Sequence, residues 1–179
     1  MLVALMSWPF VSAQSPGDWD RADARIKRLS PKAFAYLPER IRQKLKEQGC
    51  AIPQTYLVGK PHNVISGEFA SKGQKDWAIL CSIERKSSVR VFWGGPNQCE
   101  AELQAAEDRL SLQGVRGNIG FSRKIEAAST EVIERRYRAY GESPPQALEH
   151  QGIEDSFLGK ASVILYCHDG KWLRFKGAD

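Results

Sequence analysis

The sequence predicts an α+β fold: an antiparallel sheet of about five strands, helices packed on one face, and an N-terminal helical arm. Three observations lead to it. Trp77, Ile79, Cys81 and Ile83 alternate with Ala78, Leu80 and Ser82, the two-residue period of a strand apolar on both faces. His168-Asp169-Gly170 separates two β-rich runs, and Asp-Gly in that setting marks a tight hairpin. Residues 18–49 instead space their apolar side chains for helices. No repeat of 20–50 residues is present, which excludes an encoded solenoid or full propeller.

Taken in order, Asp18 can cap a helix reaching about Arg28 with Trp19, Ala22 and Ile26 on its apolar side. Ser30-Pro31 opens a helical turn, because Ser caps and Pro suits the first helical position. Pro38 reopens the helix, whose Ile41, Leu45 and Gln48 share a face until Gly49 ends it; Arg40, Arg42, Lys44 and Lys46 face water. Residues 63–95 read as three short strands joined by a polar loop and a tight turn at Arg85-Lys86-Ser87. Asn97 followed by Glu100 is a capping signature, predicting a helix that carries Cys99, Leu103, Ala106 and Leu110 and closes near Gly114. Residues 118–126 read as a strand, and Ser129 caps a helix bearing Val132, Ile133, Tyr137 and Tyr140 that Gly141 ends. Pro144-Pro145 lies in a loop over 142–146, and the Asp-Gly hairpin closes the chain.

With 42% apolar and 26% charged residues, the chain fits a globular domain that is neither disordered nor membrane-spanning. Residues 14–60 hold ten Lys/Arg against five Asp/Glu, whereas 61–179 hold sixteen of each, so the whole excess of +5 lies in the N-terminal segment. Such a segment can meet phosphates or acidic headgroups, although a solvated helix face is the simpler expectation. The first thirteen residues are uncharged and end in Val11-Ser12-Ala13, an apolar stretch with a cleavage site, so 1–13 reads as a signal peptide lacking the usual basic start. It is shorter than the roughly 20 apolar residues that cross a bilayer. The organisation expected is a leader over 1–13, a basic helical arm over 14–52 and an α+β domain over 53–179, with 14–179 forming one unit in the periplasm or outside the cell.

Cys50, Cys81, Cys99 and Cys167 are an even set without a C-x-x-C pair, which favours two disulfides over zinc. Three connectivities are open; the preferred one joins Cys50 to Cys81 and leaves Cys99 for Cys167. Free buried thiols on the strands at 81 and 167 are the alternative.

Residues 67–80, GEFASKGQKDWAIL, resemble the core of FG-GAP/VCBS repeats, where a strand runs into an oxygen-rich calcium loop and a second strand. In that resemblance Glu68 takes the first ligand place, Ala70 the third, Lys72 the fifth and Asp76 the ninth. Hard Ca²⁺ needs six to eight oxygens, and an ammonium in a ligand place repels it. The loop is therefore expected to be a structural turn held by Lys72 pairing with Glu68 or Asp76, with no metal and no cofactor. Over residues 37–179, LPERIRQKLKEQGCAIPQ, VRVFWGG and SVILYCHDGKWLRFKGAD are similar to a family of small exported bacterial proteins. That similarity implies export and a compact domain, and it carries over no catalytic residue.

Among side chains that could do chemistry, His150 with Glu154 and Asp155 is the best hydrolytic or metal-holding group, since a His beside a carboxylate can serve as a general base. A polar surface loop is the plainer reading of the same residues. His62 precedes a strand, His168 belongs to the hairpin turn, and no Gly-x-Ser-x-Gly elbow accompanies any of them. Trp93, Trp172 and Tyr166 would stack a sugar or an aromatic side chain if they shared an open face, with ordinary packing as the alternative. The basic arm lacks interleaved aromatics, so nucleic acid is not an expected partner. The sequence thus points to a non-catalytic binding or structural module of the bacterial envelope, with an unidentified envelope protein or glycan as partner. A small envelope hydrolase using His150, Glu154 and Asp155 is the alternative.

Overall fold

Four layers stack in the computed structural model, which describes residues 15–178 apart from 57, 116 and 145; the leader read at 1–13 lies outside them. In chain order the elements begin with α1 (Pro16–Ala24), β1 (Arg28–Leu29), a 3₁₀ turn (Pro31–Ala33), α2 (Glu39–Glu47) and β2 (Ile52–Pro53). Next come β3 (Val64–Gly67), β4 (Asp76–Ile83), β5 (Lys86–Phe92), β6 (Glu102–Glu107) and a second 3₁₀ turn (Asp108–Ser111). The chain continues through β7 (Leu112–Val115), β8 (Asn118–Phe121), β9 (Arg123–Ala128) and α3 (Thr130–Ala139) to β10 (Gly152–Phe157), β11 (Ala161–His168) and β12 (Lys171–Lys176).

The expected single sheet of about five strands is instead two antiparallel meanders, β3-β4-β5-β6 and β9-β10-β11-β12, with small ribbons β1-β2 and β7-β8. Period 2 explains how they stack. On β4, Ala78 and Leu80 face an inter-sheet core with Val89, Val91, Ile125, Ile153 and Leu165. Trp77, Ile79, Cys81 and Ile83 face the other way, against Phe34, Leu37, Ile41 and Leu45. The second meander repeats the logic: Ile164, Tyr166 and Phe175 turn outward to meet Ile133 and Tyr137 of α3. The order is therefore α2, first meander, second meander, α3. Helices cover both outer faces, where the sequence predicts only one.

Nor is the N-terminal segment an arm. Ile41 and Leu45, one helical turn apart on α2, are buried, while Arg40, Lys44 and Lys46 stay exposed. Burying each such side chain stabilises the fold by roughly 1.5–3 kcal/mol. Gly49, at φ +69°, ends that helix as expected. α1 lies against β7 and β8, with Trp19 and Ala22 on the inter-sheet core; it starts at Ser15, whose backbone N–H donates to Asp18, so Asp18 is the reciprocal partner of the cap.

Residues 102–107 form a strand where a helix was predicted. Two things hold them on the edge of β5. β6 pairs with β5 through a register shift between Ser87 and Val89, and Gln104 takes φ +56°. Just beyond, Asp108 is fully buried and accepts from Arg28 Nε (3.0 Å) and Nη2 (2.6 Å), Ser82 Oγ (2.6 Å) and Ser87 Oγ. One carboxylate thereby joins β1, β4, β5 and the end of β6. The strand expected over 118–126 is two, β8 and β9, and the first hairpin turns at Glu84-Arg85, both left-handed, one residue before the predicted turn.

The disulfides are Cys50–Cys81 and Cys99–Cys167, the pairing preferred from the sequence. The first ties Cys50, three residues beyond the end of α2, to the first meander, and the second ties the segment after β5 to β11. Among the described residues, no helix is long and apolar enough to cross a membrane.

Candidate functional site

The loop between β3 and β4 organises one end of the molecule, and Asp76 organises the loop. Its carboxylate is fully buried. Oδ2 accepts from the backbone N–H of Phe69 (3.0 Å) and Ala70 (3.2 Å), and Oδ1 from Gln74 Nε2 (2.8 Å) and Gly94 N–H (2.8 Å). The predicted ion pair is thus replaced: neutral donors hold Asp76, and Lys72 makes no ion pair among the described residues. Close approach explains Gly94, where a Cβ would overlap the Lys75 carbonyl oxygen. Gln74 then donates to the Asn97 carbonyl (2.7 Å) and Asn97 Nδ2 to Ser71 Oγ (3.1 Å), so the loop carries residues 94–97 with it.

The second meander meets this loop through residues 146–151. Gln151 clamps it twice: its N–H donates to the Glu68 carbonyl (2.9 Å), and Oε1 accepts from Glu68 N–H (3.0 Å). Beside it, the His150 ring stacks on Tyr166 (4.2 Å, 3° between planes), which stacks on Phe175 (5.1 Å). His150 Nδ1 lies 2.9 Å from the Gln151 carbonyl, which can only accept, so Nδ1 carries a proton and donates it. The Tyr166 hydroxyl accepts from Glu149 N–H (2.9 Å), fixing the residue before His150.

Two concavities meet at Glu149 and His150. A recess of about 540 Å³ is formed by segments 70–71, 96–98, 146–150 and 166–170. Three primary amides line it (Asn97, Gln98 and Gln146), with two carboxylates (Glu149 and Asp169) and no Lys or Arg among the described residues. Gln146 Nε2 is buried without a hydrogen-bond acceptor. A shallower groove of about 910 Å³ is formed by segments 66–68, 72–75, 129–131 and 148–151. Its charges are mixed: Lys72 and Lys75 face Glu68, Glu131 and Glu149. The Ser129 hydroxyl, together with Glu131's own backbone and the Thr130 hydroxyl, hydrogen-bonds the Glu131 carboxyl and holds it below the usual carboxylate range.

The sequence-predicted site residues fall in different places. Glu154 and Asp155 are neighbours on β10 and so face opposite sides of the sheet. Glu154 accepts from Arg136 (2.7 and 2.8 Å) and Ser162 (2.6 Å). Asp155 holds Arg123 through three bonds of 2.7–3.2 Å on the inner face. His150 shares a cluster with neither, and no described group of three His, Cys, Asp or Glu could hold a metal ion. Trp93 and Trp172 lie against each other (centroids 5.8 Å apart, planes tilted by 30°) on the inter-sheet core, with Trp172 Nε1 donating to the Glu100 carbonyl. Tyr166 lies on the opposite face of β11, because Trp172 is the cross-strand partner of Cys167. Sequence reading missed Asn97, Gln98, Gln146, Glu149 and Asp169 as a group, since they come from distant segments.

No family model, curated protein or solved structure matches the chain.

Proposed function

We propose that this chain is an exported, non-catalytic binding protein that holds a polar ligand in the recess beside His150. One observation carries the reading: Gln146 lines the recess and its Nε2 is buried with no acceptor. A buried donor without a partner costs on the order of 1–3 kcal/mol, and a ligand that drew the Gln146 amide round into the recess would recover that through one of its oxygens. Two disulfides fit an oxidising compartment, which supports export. The ion pairs of Glu154 and Asp155 count against the hydrolase alternative, since both carboxylates are engaged by arginines away from His150.

The test is an NMR titration of oxidised, ¹⁵N-labelled protein with fractionated envelope extract. The Gln146 side-chain amide and the backbone of residues 97, 98, 149 and 169 are expected to shift together. Extracts that move only resonances elsewhere, or turnover of an ester or cell-wall substrate that His150→Ala abolishes, would refute the reading.

A further inference from the structure

We infer that the recess beside His150 selects an uncharged, hydroxyl-rich ligand, a short neutral oligosaccharide; this rests on the binding reading above and adds the ligand's chemistry. Three primary amides line the recess, and each both donates and accepts, as a sugar hydroxyl does. The lining carboxylates, Glu149 and Asp169, only accept, so they suit hydroxyl donors and repel anions. The described lining has no Lys or Arg, so a phosphate or a uronate would meet two carboxylates with only the imidazoles of His150 and His168 to oppose them.

Size and shape point the same way. The recess lies within the roughly 300–1,000 Å³ of small-molecule sites. It continues past Glu149 and His150 into the groove, where Ser66, Ser129 and Thr130 add hydroxyls, so an extended chain of rings fits better than one ring. A peptide is disfavoured, because the apolar lining of the recess is limited to Ala70, Pro96, Ala147, Cys167 and the edge of the buried Tyr166, too little to anchor a large side chain.

The experiment is calorimetric titration of the oxidised full chain with hexasaccharides of glucan, mannan, xylan and chitin. A galacturonate oligomer and trilysine serve as charged probes. At least one neutral hexamer is expected to bind. Its affinity should fall about tenfold in Gln146→Leu and in Asn97→Ala, the loss of roughly one hydrogen bond, and stay unchanged in Lys160→Ala. Gln146→Leu removes a donor that has no acceptor in the free protein, so its thermal midpoint should not fall. If that variant fails to fold, Gln146→Glu keeps the shape and exchanges the donor for an acceptor, and must weaken the same hexamer. Gln146-dependent binding of a charged probe alone would overturn the oligosaccharide while leaving a binding site. Silence from every probe, with the recess amides still shifting in extract, would do the same. Silence from both would overturn the site as well.

Discussion

Replacing Asp76 by Asn separates a carboxylate held by neutral donors from an ordinary ion-pair partner. In the native protein its two oxygens receive four N–H groups, two each. Asparagine keeps one oxygen, so two donors stay satisfied while the new NH₂ faces the other two. Each orphaned donor costs about 1–3 kcal/mol, giving a loss of roughly 2–5 kcal/mol after allowing for the relief of a buried charge. In a chain of this size about 3 kcal/mol corresponds to a thermal midpoint lower by roughly 6–12 °C. Equilibrium urea unfolding of oxidised protein measures the effect directly. Lys72→Ala, in parallel, should change stability by less than about 0.5 kcal/mol, because that ammonium has no ionic partner among the described residues. An Asp76→Asn protein within about 1 kcal/mol of wild type, or a larger loss from Lys72→Ala, would refute the account of the loop.

Three further outcomes are expected. Arg123→Met should destabilise by about 3–5 kcal/mol, since Asp155 is left nearly buried without its cation, whereas Arg123→Met with Asp155→Leu should come close to neutral; urea melts of the two proteins decide. Removing Cys99–Cys167 should cost about 4.4 kcal/mol and removing Cys50–Cys81 about 3.7, because the bridges span 68 and 31 residues, and unfolding of the paired Cys→Ser proteins tests that order. His62 Nε2 accepts from Thr55 N–H (2.9 Å) while Nδ1 donates to the Lys60 carbonyl, an arrangement open only to the neutral ring. Burial lowers its pKa, with Lys124 and Lys27 pushing the same way against the Lys60 carbonyl and Glu126. The unfolded chain therefore takes this proton first as pH drops below about 6.5, so the contribution is full above that value and declines beneath it. The urea midpoint should fall between about pH 7.5 and about pH 5.5, and fall less in His62→Gln.

Local signals in the sequence are legible wherever local chemistry decides. Asp169 and Gly170, at φ +47° and +75°, make the hairpin that Asp-Gly announces, and Ser129 Oγ accepts from Val132 N–H as a cap should. β4 shows both apolar faces because two layers press on it. Residues 97–110 mislead because Asn97 and Glu100 mimic a helix start, while the determinants of β6 are the free edge of β5 and the Asp108 carboxylate, both remote in sequence. The second meander is hidden because β8 and β9 run together, with Ser122 alone between them. The recess is illegible for a related reason: four segments scattered over a hundred residues contribute to it, and Gln146 has no meaning until its neighbours are known.

The bridge from Cys99 to Cys167 has a consequence for when the site exists. Residues 96–98 and residues 166–170 both line the recess; Cys99 directly follows the first segment and Cys167 belongs to the second. Sealing that bond therefore fixes how far apart these two lining segments can lie. With the bond reduced, packing alone holds those segments in place, so the shape of the recess depends on the oxidation state of the pair.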